Sequence, residues 1–150
     1  MPHSYTALTA HVIFSTKDRA PQIAPELRIR LFAYIGGIIR STGGVLLAIN
    51  AVEDHVHVLT RVSPTIALAE VVGKIKGSSS KWIHETPGMP RFVAWQRGYA
   101  AFSVSESTIP RVSAYIVGQQ EHHRKVSFRD EFIALLRRHG IDPDLPHLWT

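Results

Sequence analysis

Residues 53–60, EDHVHVLT, set two histidines one position apart in an otherwise apolar run. In a strand the side chains alternate faces, so His55 and His57 point one way and Val56 the other. Their Cα atoms then lie about 7 Å apart, from the ~3.3 Å rise per residue, and two imidazoles can converge on one cation. The same spacing also describes the polar outer face of an antiparallel strand, and a motif this short needs structural context. A second pair of groups lies in YIVGQ, where Tyr115 and Gln119 are four positions apart. On a helix this puts a phenol and a carboxamide on one face. A tyrosine can act as an oxygen nucleophile, and a glutamine oxygen can ligate a hard cation. A tyrosine on an amphipathic helix is also an ordinary core or boundary residue with a wet hydroxyl, and a glutamine there ordinarily faces solvent.

Composition narrows the chemistry. The 150 residues include no cysteine, which removes thiolate nucleophiles, cysteine-ligated zinc and iron–sulfur clusters. That absence suits a reducing cytoplasm. With 45% hydrophobic and 19% charged residues, the chain reads as one globular domain, 1–150, with a core over 5–141 and a tail over 142–150. The start, MPHSYTALTAHVIFSTK, lacks the pattern of a signal peptide, and no apolar run reaches the ~18 residues that span a bilayer. A soluble cytoplasmic protein with no membrane partner is expected. Seventeen Lys and Arg against twelve Asp and Glu give a net charge of +5, which favours a polyanionic partner. No P-loop is present, so no nucleotide cofactor is expected.

The elements that must position these groups follow from periodicity. Residues 5–17 read as a strand. Residues 25–41 read as a helix, with Leu27, Leu31, Ile35, Ile38 and Ile39 at helical spacing and Pro25 in its first turn. Residues 45–62 read as two strands joined around 52–54, with the histidine pair early in the second. A helix is expected over 63–85, opened by Ser63-Pro64, and two short strands over 91–105, broken near 96–98. A third helix over 107–125 carries Tyr115 and Gln119, with Pro110 either opening it or sitting awkwardly in its first turns. A fourth, amphipathic helix covers 128–141 and stops at Gly140. The order strand, helix, strand, strand, helix, strand, followed by helices, predicts an α+β, ferredoxin-like (split βαβ) antiparallel sheet with C-terminal helices. That fold hosts many activities and does not settle function.

From residue 5 to residue 141 the chain resembles the single-tyrosine HUH transposases of the smallest bacterial insertion sequences. The likeness is carried by HVIFSTKDR, VEDHVHVL, KGSSSKWIHE, WQRGYAAFSVS, YIVGQQEHHR and LLRRHGI. It implies that His55, His57 and Gln119 hold a divalent metal, Mg²⁺ or Mn²⁺, and that Tyr115 attacks DNA. It further implies a 5′-phosphotyrosine intermediate, single-stranded DNA with hairpin ends as substrate, and a homodimer in which one subunit's tyrosine helix can complete the other's site. Two departures are Ala100-Ala101 after Gly98-Tyr99, where a second glycine is frequent, and Pro110 in the nucleophile helix; neither removes a chemical group the mechanism needs.

The residue types suit that chemistry. Two neutral imidazoles and an amide leave a cation its full charge and open positions, so it can polarise a phosphate as a Lewis acid. Mixed nitrogen and oxygen ligation favours manganese over magnesium on softness. Tyrosine, with an ordinary pKa near 10, needs electrostatic help to attack but leaves tolerably when the step reverses. A metal-bound water is the leading candidate for the proton acceptor, with His122 or His123 behind it. Lys74, Lys76, Ser78, Ser79, Ser80 and Lys81 form a candidate phosphate-contacting stretch, and Arg124 with Lys125 another; a plain solvated helix face is the alternative for each. His11, His84 and His139 read as structural. Two other functions compete: a non-catalytic single-stranded nucleic-acid-binding protein of the same fold, and a metal-dependent hydrolase using His55 and His57 with water as nucleophile.

Overall fold

The computed structural model describes residues 4–92 and 94–148. Its elements run β1 (Thr9–Ser15), α1 (Pro25–Ser41), β2 (Val45–Ala51), β3 (His55–Arg61), α2 (Leu68–Glu85), β4 (Ala100–Ser103), α3 (Ile109–Val117), α4 (Gln119–His122) and α5 (Phe128–Arg138). The four strands form one antiparallel sheet in the order β2-β3-β1-β4, the ferredoxin-like arrangement.

Strand alternation divides the molecule into two halves. Ala10, Val12 and Phe14 of β1 and Val56 and Val58 of β3 face α1 and α2, where they pack with Leu27, Leu31, Ile35, Ile39, Val72 and Ile75. The opposite face carries His11, Ile13, His55, His57 and Leu59. There Leu59 packs with Ile116 of α3, and Ile13 with Phe128, Leu135 and Leu136 of α5. Helices therefore cover both faces, and the histidine pair lies inside the second layer instead of on a solvated strand face.

Three elements differ from their expected extents. α2 begins at Leu68, because Ser63 and Thr65 close a turn on each other, with their hydroxyls 2.8 Å apart and the Thr65 amide donating to Ser63 Oγ at 3.3 Å. Ser-Pro thus marks a turn here and not a helix start. Of the two strands expected over 91–105, only β4 forms; Trp95 contributes an isolated bridge to Thr16, and residue 93 lies outside the described residues. The third helix is interrupted at Gly118, leaving Tyr115 on α3 and Gln119 at the start of α4. Pro110 sits in the first turn of α3, where its missing N–H has no helical acceptor to lose.

Asn50 of β2 docks α3. Its amide nitrogen donates to Ile116 O at 2.9 Å, Val117 O at 3.0 Å and Gln120 Oε1 at 2.7 Å, one N–H being shared. Gln120 answers by donating to Asn50 Oδ1 at 2.9 Å and Ala51 O at 3.0 Å. The carbonyls orphaned at the end of α3 are satisfied, and the helix carrying Tyr115 is fixed against the sheet. Replacing Asn50 with Ala leaves buried carbonyls unpaired; we expect a loss of about 1–3 kcal/mol in denaturant unfolding. Leu at this position should do no better, since it restores volume but no donor.

Candidate metal centre and nucleophile

His55 and His57 are fully buried, and each has its outer ring nitrogen held. His55 Nδ1 lies 2.7 Å from Asp54 Oδ1, and His57 Nδ1 lies 2.8 Å from His11 Nε2 on the neighbouring strand. Both Nε2 atoms consequently point to one spot beneath α3 and α4. Outer partners of this kind fix tautomer and ring orientation in metal-ligating histidines. His11, expected to be merely structural, is one of them. Gln119 is also fully buried, with Oε1 3.4 Å from His55 Nε2 and 2.8 Å from His123 Nε2. Burial reverses the ordinary expectation that such a glutamine faces solvent.

The centre of the spot is occupied by a carboxylate, Glu131 of α5, which is 3% exposed. Its Oε1 lies 3.2 Å from His57 Nε2, 3.4 Å from His55 Nε2 and 3.1 Å from His123 Nε2. Its Oε2 accepts from Gln119 Nε2 at 3.0 Å and from the Tyr115 hydroxyl. His122 Nε2 is 3.2 Å from Oε2 but is not aligned to hydrogen-bond. Ligand atoms of His55, His57, His123 and Glu131 all lie within 4.8 Å of one another. The donor types and their convergence on one spot fit a divalent metal, which small side-chain shifts would bring within about 2.1 Å of each donor. Glu131 sets a negative charge beside the neutral imidazoles and amide of the expected ligand set.

Electrostatics follow from the burial. Burial lowers His11 to about 3 and His57 to about 4, although Glu131 pulls both the other way. Burial acts on His55 in the same sense, but hydrogen bonds to Asp54 and Glu131 outweigh it and raise its pKa. Glu131 is held far below the usual carboxylate range because the bonds from His123, His55 and His57 outweigh its own desolvation. Tyr115 is raised well above its ordinary value by burial and by the hydrogen bond and charge of Glu131. In this arrangement the phenol is a proton donor.

Tyr115 therefore meets the histidine pair and Gln119 within one chain, its ring centroid 5.8 Å from that of His57. The basic stretch does not join them, since α2 packs on the far face of the sheet. Ser79 is fully buried and accepts from Trp95 Nε1 at 3.0 Å, so its hydroxyl faces the core and it leaves the DNA-facing set. Lys76 Nζ donates to Gln96 O at 2.6 Å and Gly98 O at 2.7 Å, stapling α2 to the loop before β4. Its ammonium serves that loop, which corrects the expected phosphate contact. Lys74 and Lys81 are exposed, Lys74 3.9 Å from Glu70. Arg124, exposed past α4, pairs with Glu121 at 3.3 Å.

Glu131 is the residue of the cluster that the sequence reading does not bring out, and His123 enters that reading only as a secondary proton acceptor. Glu131 had a signal: it lies three positions after Phe128 and four before Leu135, an acidic residue in the apolar stripe of α5. A charge at a core position of a helix is seldom buried without partners. His123 follows Gln119 by four, on the same helix face.

Comparison with known proteins bears on the family and the fold. A family description, transposase IS200 like, matches residues 4–119. The transposase for insertion sequence element IS200 of Salmonella typhimurium is 25% identical over 119 residues, covering 76% of this chain and 78% of that protein. The ISDra2 transposase TnpA of Deinococcus radiodurans is also 25% identical, over 76% of this chain and 85% of that protein. Among solved structures, a candidate transposase from Deinococcus radiodurans R1 superposes with TM-score 0.59 at 27% identity, over 79% of this chain and 95% of that one. A REP-associated tyrosine transposase bound to a REP hairpin shares the fold, with TM-score 0.58 at 11% identity, over 84% of this chain and 76% of that one.

Two expectations follow. Asp54→Ala, which frees His55 Nδ1, should weaken Mn²⁺ binding about 10- to 100-fold in a competition titration, and His11→Phe should act in the same range through His57. The metal-free protein should also lose thermal stability on acidification. His11 and His57 have folded pKa values below 6.5, so the unfolded chain binds more protons as pH falls from 6.5 towards 4 and 3. The depressed Glu131 adds to the loss below its ordinary 4.5. The raised His55 opposes the trend only near pH 6.5, where the unfolded histidine is still partly neutral, and is protonated in both states below about 5.5.

Proposed function

Since the chain belongs to the IS200-like transposase family, we propose that it is a single-tyrosine HUH transposase, a strand transferase that nicks and rejoins single-stranded DNA by transesterification. Tyr115 is the nucleophile, and His55, His57 and Gln119 are the ligands of a divalent metal, with Glu131 beside them. The observation that carries this reading is the convergence of two tautomer-fixed imidazoles, a buried carboxamide and a phenol on one spot. A pure binding protein has no use for that combination, and a hydrolase has no use for the phenol.

The chemistry requires an oxygen nucleophile in line with the leaving oxygen and positive charge against the non-bridging oxygens of the phosphate. A divalent cation held by the imidazoles and the amide supplies that charge, Mn²⁺ matching the nitrogen-rich set better than Mg²⁺. Tyr115 Oη forms the new bond to phosphorus, and the bond to the 3′-oxygen breaks, leaving a 5′-phosphotyrosine and a free 3′-hydroxyl. The reverse attack by a 3′-hydroxyl rejoins strands without consuming ATP. As the phenol attacks, its proton, now donated to Glu131 Oε2, passes to that carboxylate or to water, and the departing 3′-oxygen takes up a proton in its place. The carboxylate that gathers the imidazoles thus also keeps Tyr115 protonated in the metal-free arrangement.

Hairpin-ended single strands of a small insertion sequence are the proposed substrate, supported by the resemblance and by the hairpin bound to the structurally similar tyrosine transposase. A homodimer is the proposed working form. Tyr115 reaches Glu131 of its own chain, so a partner is not needed to complete the resting site, and the interruption at Gly118 offers a hinge for exchange of α3. Incubation with Mn²⁺ and single-stranded DNA from the flanks of its own coding region should yield a covalent adduct on a denaturing gel. Tyr115→Phe should abolish the adduct while DNA binding persists. An adduct that survives in the variant would remove Tyr115 from its role, and cleavage without adduct would mark a hydrolase.

A further inference from the structure

On the side of Tyr115 away from α4, a cavity of about 290 Å³ opens between α3, the edge strand β4 and α5. Its volume is that of a small-molecule site. Phe102, Val104, Val112 and Leu135 make an apolar floor, and Arg111 and Arg138 stand at its mouth. Both arginines are exposed, and among the described residues neither has a carboxylate partner, unlike Arg61, which is spent on Glu106. The exposed His139 ring lies flat on the buried Phe102, with centroids 4.1 Å apart and planes 14° apart, so Phe102 is already covered and the outer face of the imidazole is the surface left for stacking. A partly apolar slot lined by the rings of His139 and Tyr115, with two guanidiniums free of carboxylate partners, matches a nucleotide: a flat base to stack and a phosphate for bidentate capture.

We propose that this cavity seats one nucleotide of the single-stranded substrate next to the scissile phosphate, its base on the outer face of the His139 ring beside Val112 and its phosphate between Arg111 and Arg138. The proposal rests on Tyr115 being the nucleophile, because the phenol lines the same cavity and gives the seated nucleotide its position relative to the cut. Arg111 and Arg138 are then positioning residues for the strand, and the floor reads the size of one base. Sequence preference at that position arises from stacking and shape, since no buried hydrogen-bonding side chain faces a base edge among the lining residues except His11, which is committed to His57.

The test uses equilibrium binding to the full chain in the Tyr115→Phe background, so that it reads no covalent chemistry. Single-stranded oligonucleotides tiling the flanks of the coding region are ranked by fluorescence anisotropy, and the tightest is scanned with one abasic site at a time. One position should weaken binding about tenfold when its base is removed, the size of a single stacked base. Val112→Trp, which fills the cavity, should erase that positional penalty. Because this variant can misfold, the exposed pair Arg111→Gln with Arg138→Gln is measured in parallel. It should reduce the slope of log K against log salt by about 0.7, one neutralised phosphate on a single strand. Abasic penalties that are flat along the oligonucleotide, a penalty unchanged by Val112→Trp, an unchanged salt slope, or no binding by any tile would each overturn the proposal. A missing adduct in the wild-type gel assay would overturn the nucleophile reading alone and leave these binding results standing.

Discussion

One buried carboxylate organises the second half of this molecule. An ionised glutamate removed from water is costly unless its oxygens are fully hydrogen-bonded. Glu131 meets that requirement by gathering His57, His123, Gln119 and Tyr115, with His55 and His122 close by. Those partners come from β3, α3 and the α4 segment, while Glu131 itself comes from α5. The satisfaction of one charge therefore ties three separate C-terminal elements to one strand. Removing the carboxylate leaves imidazoles without their acceptor, and removing the imidazoles strands the charge, so neither half of the cluster is stable in this form alone.

The sheet makes the arrangement possible by keeping two jobs apart. Val56 and Val58 bury themselves against α1 and α2, while the residues between them face the other way, so β3 builds a dry core and a polar centre from one stretch of seven residues. Asn50 then holds the end of α3 where the phenol reaches that centre. Outer contacts from Asp54 and His11 orient the two rings, so what a bound cation would have to displace is the Glu131 carboxylate between them. Rigidity on the strand side is paired with an interrupted helix on the side of Tyr115, an apt division for the proposed nucleophile.

Much of the scaffold is legible from periodicity. α1 has the expected limits, and the β2–β3 pair turns where Val52 to Asp54 suggest, because apolar spacing and turn residues are local signals. The start of α2 is misread because Ser63-Pro64 serves a turn as well as it serves a helix. The strand before β4 is misread because tertiary contact with Thr16, more than propensity, decides how much of that stretch pairs. At the site, spacing brings out His55 with His57 and Tyr115 with Gln119, pairs only two and four positions apart in the chain. Glu131 and His11 are not reached that way. Their relation to the pair exists only after α5 and β1 have packed against β3, and a sequence records such contacts only indirectly, as a charge or an imidazole at a position where the pattern calls for a hydrocarbon. Ser79 and Lys76 fail for the same reason in reverse: a polar residue on a helix is free to contact phosphate only if the fold leaves it facing water, and here Trp95 and the loop before β4 claim both.

The central claim is that the polar cluster on β3 is a metal centre beside a nucleophile and not merely a buried hydrogen-bond network. Anomalous diffraction from a crystal soaked in Mn²⁺ tests it most directly. The account predicts one strong peak roughly 2.1–2.3 Å from His55 Nε2, His57 Nε2 and Gln119 Oε1, with the Tyr115 hydroxyl facing the same spot. No peak there at saturating Mn²⁺, with Glu131 still bonded to the imidazoles and the phenol, would contradict it.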